Sequence, residues 1–172
     1  MAVVSSGDPG VFAMASAVAE VAADPAFHDV PVRVVPGMTA ANAVASRVGA
    51  PLGHDYAAIS LSDYLKPWEV IEARLRAVAA ADLALAVYNP ASKTRREQLV
   101  RARDVLLEVR SPETVVIIGR AVGSPQESVT VTTLGEFDPD QVDMRCLLII
   151  GSSRTEVTER PGGRIVHTPR RY

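Results

Sequence analysis

The first twelve residues constrain this chain most. Val3-Val4-Ser5-Ser6-Gly7-Asp8-Pro9-Gly10-Val11-Phe12 reads as the end of a buried strand, a tight polar turn and the start of a helix. Such a junction points to a layered α/β fold. It presents backbone N–H groups and the Asp8 carboxylate at the carboxyl edge of a sheet, where α/β proteins bind ligands. A second junction follows. Residues 11–23 are rich in Ala and Val, with Glu20 as the sole charge, and read as a helix buried on most sides. Asp24-Pro25 ends it. Residues 30–35, Val-Pro-Val-Arg-Val-Val, are β-branched and read as a strand. Pro36-Gly37 turns the chain, and Thr39 opens an Ala-rich helix to Val48 with Gly49 just past its end.

The rest of the chain continues the alternation. Residues 56–61 read as a strand, and Pro67 starts a helix with Trp68, Ile71, Leu75 and Val78 on one face. Residues 83–88 form a short apolar strand ending in Asn89-Pro90. Ser92 is the expected cap of the next helix, which carries Leu99, Ala102 and Leu106. Strands are expected at 114–118, 128–134 and 145–150, with a polar connector at 137–142. For the tail after Ser152, Ile165-Val166 as an edge strand and a disordered end both stay open.

Composition narrows the function. Hydrophobic residues make up 48% but aromatics only 5%, so the core is aliphatic, as suits α/β layers. Lys plus Arg is 18 against 20 for Asp plus Glu, a net charge of −2 that argues against a generic nucleic-acid binder. Cys146 is the only cysteine, which excludes an internal disulfide and a Cys-rich zinc site; its apolar surroundings predict a buried thiol. No two histidines have metal-ligand spacing, so no metal is expected. No segment approaches the roughly 20 apolar residues that span a bilayer, and no signal-peptide pattern opens the chain, so a cytoplasmic location is expected.

Four constellations carry polar groups suited to chemistry. Asp8 can cap the helix after its turn or accept a hydrogen bond from a ligand; the turn alone decides neither. Thr39 stands at a second helix start. Tyr88 and Asn89 reach a sheet edge ahead of Lys93, Arg95 and Arg96, cations suited to carboxylates or to a solvated helix face. His54 and Asp55 are adjacent just before a strand. No lysine follows the first turn, so it is not a P-loop.

In this order the motifs resemble the tetrapyrrole methylase family, and within it the precorrin-3B C17-methyltransferases of cobalamin biosynthesis. The carriers are Ser5-Ser6-Gly7-Asp8-Pro9-Gly10-Val11-Phe12, Val35-Pro36-Gly37-Met38-Thr39-Ala40-Ala41-Asn42, Gly53-His54-Asp55-Tyr56, Ile59-Ser60-Leu61-Ser62-Asp63, and Tyr88-Asn89-Pro90-Ala91-Ser92-Lys93-Thr94-Arg95. Thr132-Thr133-Leu134 and the closing Thr168-Pro169-Arg170-Arg171-Tyr172 complete them, with Arg171 where the family has glycine.

The resemblance implies a two-domain α/β architecture. Residues 1–36 would belong to an N-terminal parallel α/β domain and residues 37–172 would form a C-terminal mixed-sheet α/β domain. It implies S-adenosyl-L-methionine as methyl donor, precorrin-3B as tetrapyrrole substrate, a homodimer, and methyl transfer to C17 with ring contraction to precorrin-4. Ser6, Gly7, Asp8 and Val11 would line one side of the donor site, Thr39 and Ala40 another. Tyr88, Asn89, Ala121 and Thr133 would lie by the adenosine part. His54 and Asp55 are the nominees for acid–base work. Family members begin with a strand and a Gly-Pro-Gly turn that this sequence does not show, so the expectation is an incomplete N-terminal domain and weak donor binding by this chain alone. A sister corrin-ring methyltransferase and a non-catalytic binding module are the alternatives.

Overall fold

The computed structural model describes residues 1–92 and 95–171. Helix α1 spans Met14–Ala22 and α2 spans Ala40–Val48, followed by the short strand β1, Gly49–Ala50. Strand β2 (Tyr56–Ser60), helix α3 (Trp68–Ala80) and strand β3 (Ala84–Tyr88) form a parallel βαβ unit. Helix α4 (Glu97–Leu107) leads to β4 (Val115–Arg120), β5 (Ser128–Thr133), β6 (Cys146–Ile150), β7 (Glu156–Arg160) and β8 (Gly163–His167).

The main sheet runs β2-β3-β6-β4-β5. The last of these strands in sequence, β6, inserts antiparallel between β3 and β4. Alternation along the strands sorts the core into two layers, because successive side chains point to opposite faces. Leu85, Val87, Leu148 and Ile150 pack against Ile71 and Leu75 of α3 and Leu99 and Leu106 of α4. Ala86, Tyr88, Leu147 and Ile149 face Ala41, Val44 and Val48 of α2 and Val166 of β8. Arg110 is buried beneath the sheet's other end, where its guanidinium donates to the carbonyls of Gly151, Val78 and Leu83. Burial pulls its pKa below the usual guanidinium value.

The tail is ordered sheet. β7 and β8 form a hairpin, and β8 pairs parallel with β1. Val166 is fully buried there, and the Thr168 hydroxyl donates to the Pro51 carbonyl at 2.6 Å.

Four expectations change. Val3 and Val4, read as the end of a buried strand, form no strand and stay exposed. Residues 30–35 form no strand; their valines stay exposed, since no described strand offers them a hydrogen-bonding edge. α1 begins at Met14 and buries none of its residues, because its main neighbour is the one-turn helix Pro25–Phe27. Ser92 does not cap α4, which starts at Glu97 after Arg96; the Ser92 N–H is taken by the Arg95 carbonyl.

Candidate functional site

A cavity of about 530 Å³ opens at the carboxyl end of β3. Its walls are the turn at residues 5–13, the first turn of α2, the ends of β3 and β4, and the turn entering β6. β6 runs antiparallel, so its start meets the end of β3 and β4 at this edge.

The two glycine turns touch. Gly7 has a left-handed backbone, φ 69°, and a Cβ on Gly37 would lie 2.1 Å from the Gly7 carbonyl oxygen. Only glycine at 37 permits that approach. The Asp8 carboxylate closes the contact: Oδ1 accepts from Gly10 N–H at 2.8 Å and Oδ2 from Gly37 N–H at 3.0 Å. These two N–H bonds, Gly37's first, hold the Asp8 carboxyl below its usual pKa. Asp8 therefore ties one turn to the other rather than capping α1, whose N-cap is Ala13.

Tyr88 joins the next two walls. Thr39, the N-cap of α2, makes no side-chain capping bond. The Tyr88 phenol oxygen takes that role, accepting from Ala41 N–H at 3.2 Å with the Thr39 hydroxyl 2.5 Å away. The ring of Phe12 lies 4.9 Å from that of Tyr88, tilted by 49°, a favourable aromatic geometry.

Backbone strain collects at this cavity. Phe12, Asn89 and Ala121 have φ of 51°, 48° and 49°, and all three line it. Among the described non-glycine residues only Asp82 shares that conformation, and it lies elsewhere. Such residues cost about 1–3 kcal/mol each and cluster where function requires them. Gly119 permits a further close approach: a Cβ there would meet Val44 Cγ2 at 2.2 Å. α2 thus rests directly on β4.

The remaining wall, Ala121–Val122 and Met144–Leu147, is backed by polar contacts. Ala121 N–H donates to the Arg145 carbonyl at 2.9 Å. Arg120 binds Asp143 through Nε at 3.0 Å and Nη2 at 2.9 Å. Burial raises the Asp143 pKa, but the bonds from Arg145 N–H, Arg120 and Cys146 outweigh it and lower the value overall. The Cys146 thiol is buried, as the sequence predicted, and burial pushes its pKa up.

Comparison with known proteins matches this arrangement. The family of Tetrapyrrole (Corrin/Porphyrin) Methylases matches residues 1–138. The chain belongs to the tetrapyrrole methylase family. Cobalamin biosynthesis protein CobIJ of Mycobacterium tuberculosis is 60% identical over 176 residues, covering 100% of this chain and 34% of that protein. The precorrin-3B C(17)-methyltransferase of a Sinorhizobium species is 52% identical over 172 residues, covering 98% of this chain and 68% of that enzyme. The chain thus spans about a third of CobIJ. The crystal structure of the methyltransferase CobJ superposes with a TM-score of 0.87 at 44% identity, covering 95% of this chain and 67% of that one. A uroporphyrin-III C-methyl transferase from Thermus thermophilus, complexed with S-adenyl homocysteine, gives a TM-score of 0.59 at 25% identity over 84% of this chain and 62% of its own. The expected α/β fold with a mixed sheet is the one these methyltransferases have.

In this tetrapyrrole methylase chain the cavity gathers most of the residues singled out from sequence. Ser6, Gly7, Asp8, Val11, Thr39, Ala40, Tyr88, Asn89 and Ala121 all line it. Thr133 does not. It ends β5 and pairs with Val115 at the start of β4, whereas the cavity lies at the far end of that hairpin, about 17 Å away at 3.4 Å per residue. His54 and Asp55 are also elsewhere. They precede β2, whose first residue pairs with Ala84, at the edge opposite Tyr88. There they lie beside Asp82, Ser152 and Thr168, with His54 Nδ1 3.9 Å from Asp55 Oδ2. Parallel pairing of β2 with β3 sets this: the strand's entry and exit fall on opposite edges. Lys93 lies outside the described residues. Arg96 is exposed and 3.9 Å from Asp140, while Arg95 turns inward.

Sequence reasoning missed Gly119, Val44 and residues 144–147 as walls of the cavity. The isolated glycine inside an apolar β-branched strand was the available signal for Gly119. Nothing local announces that the strand at 146–150 enters between β3 and β4.

Proposed function

We propose that this chain binds S-adenosyl-L-methionine in the cavity between the two glycine turns, as the donor site of a cobalamin-biosynthesis methyltransferase. The observation that carries the reading is the Gly7–Gly37 contact sealed by Asp8. It leaves a backbone-walled pocket with an aromatic pair at one side, and its volume lies in the range of small-molecule sites. The name of the Sinorhizobium relative favours precorrin-3B as acceptor and C17 as the methylated carbon; ring contraction to precorrin-4 completes the reaction we propose.

The sulfonium is already an activated methyl donor, so the chain's task is alignment of methyl and ring carbon. Ser6, Gly7 and Val11 would hold one side of the donor, Thr39 and Ala40 another, and Tyr88, Asn89 and Ala121 the adenosine end. Asp8 and Tyr88 lock the walls. Residues 1–36 and 37–172 would contribute as two domains, and a homodimer is the assembly we propose.

Titration calorimetry with S-adenosylhomocysteine tests the site. Saturable binding at or below about 1 mM is expected; none at that concentration refutes it. Incubation with the donor and either precorrin-3B or precorrin-4 tests the acceptor. A methylated product from precorrin-3B is expected, and turnover of precorrin-4 alone would refute the C17 assignment.

A further inference from the structure

Beyond the last backbone rung of the parallel β2–β3 pair, where Leu61 N–H donates to the Tyr88 carbonyl at 2.9 Å, the two strand ends are held by a side chain. Arg95 Nη1 donates to the Leu61 carbonyl at 3.0 Å and to the Asn89 carbonyl at 2.9 Å. One cationic group thus bridges the next carbonyl on each strand. Charge-assisted bonds of this kind are about twice as strong as neutral ones.

Asn89 is fixed from other sides as well. Its backbone is left-handed, φ 48°, and its Nδ2 donates to Ser60 Oγ at 2.8 Å. It is this turned residue that lines the cavity. Arg95 is itself held: its side chain is only 15% exposed, Nε lies 3.8 Å from Asp63 Oδ1, and Gln98 Nε2 donates to Asp63 Oδ2 at 2.7 Å. A chain of contacts therefore runs from α4 through Asp63 and Arg95 to the cavity wall.

We propose that Arg95 is a positioning residue of the donor cavity, clamping the ends of β2 and β3 so that Asn89 keeps its left-handed place in the wall. Its guanidinium faces the chain's own carbonyls and Asp63, in contrast to a cation displayed for the acidic groups of a substrate. The link to donor affinity rests on the donor-site reading above; the clamp does not.

Two measurements on the full chain separate them, with Arg95→Met, Arg95→Lys and the exposed control Arg96→Gln. Hydrogen exchange of the Leu61 amide and of residues 87–92 should quicken about ten-fold in Arg95→Met while β4–β5 amides keep their rates. The Kd for S-adenosylhomocysteine should rise about ten-fold in the same variant. Arg95→Lys, which can serve one carbonyl, should fall between it and the wild type in both readouts, and Arg96→Gln should match the wild type. Wild-type exchange at Leu61 in Arg95→Met overturns the clamp, as does the same loss in Arg96→Gln. Quickened exchange with unchanged affinity overturns its role at the cavity. If Arg95→Met does not fold, wild-type exchange and affinity in Arg95→Lys overturn the proposal. Absence of any S-adenosylhomocysteine binding by the wild type refutes the donor site, and Leu61 exchange still decides the clamp.

Discussion

Gly119→Ala tests how closely α2 rests on β4. The added Cβ would lie 2.2 Å from Val44 Cγ2, 2.8 Å from Cγ1 and 3.0 Å from Cβ. Carbon pairs are at their optimum near 3.5–4.0 Å, so the closest overlap exceeds about 1 Å. Rotating Val44 exchanges one methyl for another without moving its Cβ, and a helical valine has one strongly preferred rotamer. Gly119 cannot retreat either, since β4 is hydrogen-bonded on both sides, to β5 and to β6. The helix must lift. Overpacking of this severity costs about 3 kcal/mol, or about 6–12 °C in the melting midpoint of a domain this size. Val44→Ala alone empties a site 1% exposed and costs about 2 kcal/mol. In the double variant both clashing methyls are gone, so its loss should be about 3 kcal/mol rather than the additive 5, a coupling of about 2 kcal/mol. Urea unfolding of the four proteins reads this directly. The lift also displaces Thr39 and Ala40, so S-adenosylhomocysteine binding should weaken in Gly119→Ala and return in the double variant. Additivity within about 0.5 kcal/mol, or a Gly119→Ala protein as stable as the wild type, refutes the reasoning.

Tyr88→Phe keeps the ring against Phe12 but removes the oxygen that accepts from Ala41 N–H; unfolding experiments should show a loss of about 1–2 kcal/mol. Tyr88→Ala should lose about 3–5 kcal/mol, and a Tyr88→Phe protein as stable as the wild type would show that the phenol oxygen does not support α2. The Asp8 carboxyl is held below its usual 3.8 by Gly37 and Gly10, so its contribution is present above that value and fades as pH falls through the lower folded value. The Gly37 amide resonance should therefore shift with a midpoint below 3.8 in the wild type and not at all in Asp8→Asn. A wild-type midpoint at or above 3.8 would contradict the pairing.

Much of this was legible locally. Continuous apolar runs placed β3 and β6, because each buries all five residues while showing opposite faces to two cores. Thr39 and Gly49 bracket α2 at the positions the sequence predicts, although Thr39 makes no side-chain capping bond. The polar walls at Ser6–Asp8, Thr39 and Tyr88–Asn89 were found because polar, glycine- or proline-bearing turns ahead of helices are recognisable from their residues, although no strand precedes the first two. Other features were illegible for physical reasons. Residues 30–35 have strand composition, but a strand exists only where a neighbour supplies hydrogen bonds. The tail lacked a continuous apolar run, yet one valine against α2 and two threonines joined by a 2.8 Å hydrogen bond order it.

By itself the sequence determined the alternation of strands and helices from residue 56 onward and the two glycine turns, since period and sterics act within a few residues. It also determined that a carboxylate, a tyrosine and an asparagine would stand at turns. Only the tertiary structure decided which turns meet. Insertion of β6 between β3 and β4 joined the walls of one cavity. Loop and helix contacts fixed Asp8 as a tie to Gly37 and Tyr88 as the cap of α2, while the β2–β3 and β4–β5 pairings left His54, Asp55 and Thr133 at the opposite edge. Periodicity says which face a residue shows; strand pairing, a contact between distant segments, says which end of the sheet it reaches and beside whom.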